Sequence, residues 1–520
     1  MGFGYNRTIS ARRLLSLVLS HSFSRKLAMQ DFSDFDQLAQ QYDKVPVASV
    51  LLSDGLTPVL ALKRLGEAEH ACLFESVIGG EKVGRYSFLG YKPRCVITAY
   101  GNDVYVTQGQ QQQKLHYENP MDFLRQEVRR FSVADRPELP PLTGGAIGYV
   151  GYDVVRYYEK LPNVPEDDRH LPDLAFGLYD ELVVFDHVYK TLSVIVLATP
   201  ADFQTHQACF DDANQRIQLL VDQLNDRSGD LPPRTADFSN ATGLKFTSNF
   251  SQTDFEAAVG KCVQYIEAGD IFQVVLSQRF QAPVTCDPLE VYRTLRVLNP
   301  SPFMFYLKFP ELTLVGSSPE IMCRVVDNEV TVRPLAGTRP RGKTDVEDLA
   351  LEAELLTDPK ECAEHVMLVD LGRNDLGRVA KVGTIQLPDV MIVERYSHVM
   401  HLSSTVVGQL REDCDSFDAL GATLPAGTVS GAPKIRAMEI IDSLEPQKRG
   451  PYAGAVGYLD YSGNMDTCIT LRTLVMHGGQ AYIQAGAGIV ADSNPTAEYQ
   501  ETLNKARGMM RAVEVTQGGS

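Results

Sequence analysis

Phe303-Met-Phe-Tyr-Leu-Lys-Phe309, then Thr313-Leu-Val315, then Val330-Thr-Val-Arg333, read as one short strand after another. Upstream, Phe272–Leu276 reads the same way, and before it comes a helix. Thr253-Asp-Phe-Glu256 has the pattern of a capping box, in which the Thr hydroxyl and the Glu carboxylate satisfy free backbone N–H groups. Phe255, Val259, Cys262 and Ile266 recur at helical spacing, and Gly269 supplies the stop. Downstream, helices around Asp358–Leu371, Pro433–Leu444 and Ala497–Val513 mix with strands Ala453–Asp460, Ile469–Val475 and Ala481–Ala485. The strict strand–helix alternation of a doubly wound sheet is missing, so an α+β sandwich is predicted.

On the N-terminal side, from Val47 to about Leu224, strand-like runs such as Cys95–Ala99, Glu181–Phe185 and Leu192–Leu197 alternate with a few helical stretches. The polar tract Gln110–Gln113 reads as a loop tip. Residues 226–244 are rich in Pro, Gly, Asp and Ser, the composition of a linker. The chain is therefore divided into an extension (1–30), an N-terminal domain (31–225), that linker, and a second domain (245–515).

The 520 residues suit two to three domains, and 44% hydrophobic with 22% charged residues is ordinary for a globular protein. With 49 basic against 66 acidic residues the net charge is −17, which disfavours nucleic acid and anionic membranes as partners. Cations that hold an anionic substrate must then be few and locally concentrated. Nine scattered cysteines, none in a C-x-x-C pair, argue against a disulfide framework and a structural zinc and fit a reducing compartment. No apolar run approaches the roughly 20 residues that span a bilayer. Residues 1–30 carry Arg7, Arg12, Arg13, Arg25 and Lys26, several serines and no acid. Two readings stand: a transit segment directing the chain to a plastid or other organelle, or a disordered extension upstream of a start at Met29 in a cytoplasmic protein.

Four carboxylates form the first chemical constellation. Glu361 and Glu364 lie three apart, as do Glu498 and Glu501, and on a helix each pair shares one face. Hard oxygen ligands of this kind suit Mg²⁺, although for either pair alone a solvated helix face is the commoner reading. Pro425-Ala-Gly-Thr-Val-Ser-Gly-Ala-Pro-Lys434 precedes a helix, and its N–H groups with the Thr428 hydroxyl could hold a carboxylate. Gly486-Ala-Gly-Ile-Val-Ala491 matches a dinucleotide fingerprint, but Asp492-Ser-Asn-Pro495 breaks the helix that a pyrophosphate would need, and NAD is excluded. His401 stands alone, Arg472 falls within an apolar strand and calls for an anionic partner, and Lys505 follows Glu501 by one helical turn.

In this order the blocks Gly269–Arg279, Gly316–Glu320, Arg333–Gly342, Glu361–Asp375, Pro425–Lys434 and Gln484–Glu501 resemble the chorismate-binding enzymes, over about residues 45–515. The resemblance implies an α+β fold of layered β-sheets with flanking helices. Isochorismate and salicylate synthases of that family carry a water-activating lysine where this chain has Gln273, and aminodeoxychorismate synthases carry a lysine where it has Ala336. Both positions resemble the anthranilate synthase large-subunit branch.

The resemblance implies a reaction in which ammonia adds at C2 of chorismate as the C4 hydroxyl leaves, giving aminodeoxyisochorismate. Elimination of pyruvate then gives anthranilate, the first committed step towards tryptophan. Glu320 is expected to protonate the hydroxyl, and His401 to orient the ring and assist loss of the C2 proton. Mg²⁺ is expected on Glu364 and Glu501, with Glu361 and Glu498 near by. Tyr452, Arg472, Gly486, Gly488 and Lys505 would position the enolpyruvyl and carboxylate groups, and Gly337, Thr338 and Thr428 would line the ring. Phe74-Glu75-Ser76 and Asn299-Pro-Ser-Pro302-Phe303-Met304 resemble the family's tryptophan feedback pocket, with Phe303 replacing the usual tyrosine. No glutaminase region is recognisable, so a separate glutamine amidotransferase subunit is the expected ammonia source.

Overall fold

The computed structural model describes residues 31–518, apart from 67, 77–83, 229, 231–242 and 397–398. The extension 1–30 and most of the linker therefore lie outside the described residues.

Phe303–Lys308 explains the architecture from its side chains. Met304 and Tyr306 pack into one core cluster with the helices Pro288–Leu298 and Pro495–Gly518, whereas Phe305 and Leu307 pack into another with strands of a second sheet. Both faces are covered, and that is why the run reads as continuously apolar instead of alternating. Repeated across the molecule, this gives four layers: helices, sheet, sheet, helices.

Each sheet has 12 strands among the described residues. The first runs Val45–Leu52, Thr191–Ala198, Glu181–Asp186, Tyr86–Tyr91, Ala71–Glu75, Phe303–Lys308, Thr313–Ser318, Thr473–His477, Gln480–Ile489, Gln273–Pro283, Thr247–Ser248, with Gly431–Ala432 paired beside Gln273–Pro283. The second runs Leu335–Pro340, Val399–Gln409, Glu329–Val332, Ile321–Val326, Met465–Ile469, Ala455–Asp460, Gly145–Val150, Leu174–Tyr179, Cys95–Tyr100, Asp103–Gln108, Gln111–His116, with Gln386–Arg395 on the other edge of Val399–Gln409. Every named pairing is antiparallel. Strands from both sides of the linker share both sheets, so the two chain segments are joined by continuous ladders.

Three local expectations change. Ser251, not Thr253, caps the helix Gln252–Glu267, accepting from the Asp254 N–H at 3.1 Å. Gln111–Gln113 belong to an exposed edge strand rather than a loop tip, where polar side chains discourage pairing with another chain. The run Ile469–Val475 is two strands in different sheets, and Arg472 lies in the crossing between them at φ 47°.

That crossing has a neighbour. Thr313–Ser318 belongs to the first sheet and Ile321–Val326 to the second, so the chain also changes sheets at Pro319–Glu320. The two crossings are hydrogen-bonded together: Ser317 N–H donates to the Arg472 carbonyl at 3.1 Å, and Ile469 N–H donates to the Glu320 carbonyl at 3.0 Å. Glu320 and Arg472 are thus brought side by side where the sheets part.

A candidate active site where the two sheets part

A cavity of about 600 Å³ opens beside these crossings. The first sheet contributes Gln273 and Gly488, the second Gly337, Thr338 and His401, and the crossings Glu320 and Arg472. The helix Pro359–Gly377 brings Glu361 and Glu364, and Pro495–Gly518 brings Glu498, Glu501 and Lys505. Thr428 enters from the short 3-10 turn Gly427–Val429. Tyr452 and Gly486 stand behind this wall. Tyr452 lines a small adjoining cavity with Arg449 and Thr470, and a Cβ added at Gly486 would meet the Tyr452 hydroxyl at 2.9 Å. The Gly486 carbonyl accepts from Lys505 Nζ at 3.0 Å.

Glu320 is 5% exposed. Burial pushes its pKa up to about 8, against the opposing effects of the Leu335 N–H, the Thr428 hydroxyl and the Arg472 charge. Thr428 lies 3.1 Å from both carboxyl oxygens, so its hydroxyl aims at this carboxyl. A carboxyl that keeps its proton at neutral pH can act as an acid.

His401 is held by the carbonyl of Gly337, 2.9 Å from Nδ1, with the Thr338 hydroxyl at 3.1 Å. A carbonyl can only accept, so Nδ1 carries the proton and Nε2 is left as the acceptor. Burial lowers the His401 pKa, and Arg472 and Lys505 lower it further, against the opposing effects of the Gly337 hydrogen bond and the Glu394 charge, which keeps the ring neutral. Gly337 reaches this contact at φ 60°, and a Cβ there would crowd Leu355 at 3.0 Å and Glu361 at 3.2 Å. Gly488 is fixed by close approach instead, because its Cβ would meet Gln273 Nε2 at 2.7 Å.

The glutamates have unequal surroundings. Glu364 accepts from Gln273 Nε2 at 2.9 Å, and its pKa is raised by burial and by the charges of Glu361 and Glu501. Glu498 is raised by burial and by Glu501. Glu361 is tied to Arg339 at 3.0 Å and Glu501 to Lys505 at 2.6 Å. Among the described residues no three such groups form a finished metal cage. The donor set nevertheless fits a hard divalent cation that retains water and takes ligands from substrate, because like charges gathered in one cavity are relieved by a cation. Arg339 was not singled out in the sequence, although it lies in the Arg333–Gly342 block. Its signal is indistinct there because Arg333 and Arg341 flank it in the same block.

Glu75, Ser76, Pro302, Phe303 and Met304 line a second cavity, of about 260 Å³. Antiparallel pairing of Met304 with Glu75 and Phe305 with Phe74 unites the two distant sequence blocks. Among the described residues, Ser76 Oγ is buried without a hydrogen-bond partner. The Glu75 carboxylate is already engaged, accepting from the Tyr292 hydroxyl at 2.7 Å and from Arg296 at 2.9 Å. Sequence reading missed Phe88, Tyr458 and the Arg324–Asp466 ion pair (2.8 Å), which complete the wall.

Comparison with known proteins agrees with this geometry. The family model described as chorismate binding enzyme matches residues 69–511. Anthranilate synthase component 1 of Acetivibrio thermocellus is 48% identical over 484 residues, 92% of this chain and 97% of that protein. The crystal structure of anthranilate synthase component I from Streptococcus pneumoniae TIGR4 superposes with a TM-score of 0.73 at 40% identity, covering 88% of this chain and 99% of that one. The menaquinone-specific isochorismate synthase of Escherichia coli, at 20% identity and a TM-score of 0.66 over 93% of this chain and 98% of that one, shares the fold alone. A family match across most of the chain, a relative at this identity over nearly its whole length, and one cavity that gathers the matching blocks lead to one conclusion: the chain belongs to the chorismate binding enzymes, in the group of anthranilate synthase component 1.

Proposed function

We propose that the 600 Å³ cavity converts chorismate and ammonia to anthranilate and pyruvate through aminodeoxyisochorismate. The observation that carries this is the pairing, in one cavity, of a protonated buried acid with a neutral imidazole whose Nε2 is free to accept. In the first step Glu320 delivers its proton to the departing C4 hydroxyl while ammonia forms the C–N bond at C2. Gln273 offers an amide where a lysine would activate water, and ammonia needs no such base. In the second step His401 Nε2 takes the C2 proton as the enolpyruvyl group leaves, and pyruvate and the aromatic ring result. Arg472 and Lys505 supply the concentrated positive charge that a dianionic substrate requires in a protein of net charge −17. A Mg²⁺ ion held by Glu364 and Glu501, with Glu361 and Glu498 near by, would neutralise the ring carboxylate.

Ammonia comes, in this reading, from a glutamine amidotransferase subunit that docks on this chain. The 260 Å³ cavity takes L-tryptophan as a feedback inhibitor, with Ser76 as a hydrogen-bond partner and Phe303 and Met304 against the indole. The test is direct. Purified protein with chorismate, ammonium and Mg²⁺ should release fluorescent anthranilate and pyruvate in equal amounts. Isochorismate or aminodeoxychorismate as the main product would refute the assignment.

A further inference from the structure

The imidazole of His401 has restraints on two sides. Its strand, Val399–Gln409, is flanked by Leu335–Pro340 on one edge and Gln386–Arg395 on the other, with His401 opposite Thr338 and opposite Glu394. On the first edge the Gly337 carbonyl fixes Nδ1. On the other, the ring of Tyr396 meets the imidazole edge-to-face, with centroids 5.7 Å apart and an interplanar angle of 61°. The Tyr396 hydroxyl donates to Glu394 Oε2 at 2.7 Å, and Glu394 is ion-paired with Arg333. Arg333 lies between the strands Glu329–Val332 and Leu335–Pro340, so its ion pair reaches across the His401 strand and ties both flanks together.

Behind Tyr396 lies a cavity of about 350 Å³, lined by Arg333, Glu394 and Tyr396 and sharing Pro319, Glu320 and Leu335 with the substrate cavity. Space on that side leaves the ring of Tyr396 less confined by packing. The half-buried Glu394 carboxylate anchors it through the Tyr396 hydroxyl, and a charge-assisted hydrogen bond is geometrically selective. Burial raises the Tyr396 pKa, which keeps the phenol as a donor.

We propose that Arg333, Glu394 and Tyr396 form a positioning array that sets the orientation of the His401 imidazole, and so keeps Nδ1 on the Gly337 carbonyl that fixes its tautomer, for the elimination half of the reaction. The claim rests on the function proposed above, but half of its test does not. In ¹⁵N-histidine-labelled, ligand-free protein, the resonances missing from His401→Met identify this ring. The wild type should show a single Nδ1–H tautomer. Tyr396→Leu should show a mixture, and Tyr396→Phe, which keeps the ring but loses the hydroxyl that anchors it to Glu394, should move part of the way in the same direction. Glu394→Gln, which preserves volume and loses the ion pair, should move the spectrum in the same direction as Tyr396→Leu and serves if that variant folds poorly. In turnover, Tyr396→Leu should slow elimination about three- to tenfold, the worth of an edge-to-face contact, and release aminodeoxyisochorismate. An unchanged imidazole spectrum in folded Tyr396→Leu and Glu394→Gln overturns the array. A changed spectrum with an unaltered ratio of anthranilate to chorismate consumed upholds the positioning and overturns the role given to His401.

Discussion

Among single residues, Glu320 carries the sharpest consequence, because burial gives it two separate signatures. Its pKa is about 8 in the folded chain against an ordinary value of 4.5. Between those values the unfolded chain has released a proton that the folded chain retains. Stability is therefore fully present below pH 4.5 and falls as pH rises towards 8. Glu320→Gln should abolish turnover and also flatten this part of the stability curve, by on the order of a few kcal/mol relative to wild type at pH 8. Urea melts across that range measure it, and parallel curves for the two proteins would contradict the buried, protonated carboxyl. The acid must be protonated to act, so kcat/KM should decline above about pH 8. In the proposed mechanism His401 separates the two chemical steps. His401→Met should consume chorismate and ammonia yet accumulate aminodeoxyisochorismate, and chromatography of the products decides this. Anthranilate formed in proportion to chorismate consumed would rule the role out.

At the scale of elements, the helices were the most legible part of the sequence, because spacing alone places Glu361 with Glu364 and Glu498 with Glu501 on shared faces. What spacing cannot supply is that two helices about 135 residues apart present those faces to one cavity; sheet pairing decides that. The same helices yield a prediction. Glu364→Gln and Glu501→Gln should each abolish Mg²⁺-dependent turnover while the folded circular dichroism spectrum is retained, and full activity of either at limiting Mg²⁺ would sink the metal assignment. The start of the helix Gln252–Glu267 was misplaced by two residues for a clear reason. Ser251 and Thr253 are both of residue types that favour the cap, and both are followed three positions later by an acid, Asp254 or Glu256. Ser251→Ala should cost roughly 0.5–2 kcal/mol in a denaturation experiment and Thr253→Ala much less. Arg472 was harder still. Cys468-Ile-Thr-Leu-Arg-Thr-Leu-Val475 contains no Gly or Pro, so nothing in it announces the crossing between sheets or the positive φ of Arg472.

Over the whole molecule, the 600 Å³ cavity and the smaller aromatic cavity are connected through the packing of the two sheets. The 260 Å³ cavity shares Pro302, Phe303 and Arg324 with the 350 Å³ cavity, which in turn shares Pro319, Glu320 and Leu335 with the 600 Å³ one. Phe303 opens the strand that pairs with Thr313–Ser318, and Ser318 leads directly into Pro319 and Glu320. A ligand that holds Phe303 in one place therefore bears on the strand that leads into Glu320. Such coupling needs differential affinity for two states of the protein, not mere proximity. Ser76 supplies the means to measure it, because among the described residues its hydroxyl is buried in the smaller cavity without a partner, and a ligand there can supply one. L-Tryptophan at 100 times its Kd should stabilise the chain by roughly 2.7 kcal/mol and raise Tm accordingly. Ser76→Ala loses one hydrogen bond, worth about 0.5–1.5 kcal/mol, so inhibition measured against the variant's own uninhibited rate should weaken roughly two- to tenfold, and the Tm shift should shrink with it. If both weaken together, binding and inhibition share this cavity. If tryptophan inhibits and stabilises Ser76→Ala as it does the wild type, the feedback site lies elsewhere.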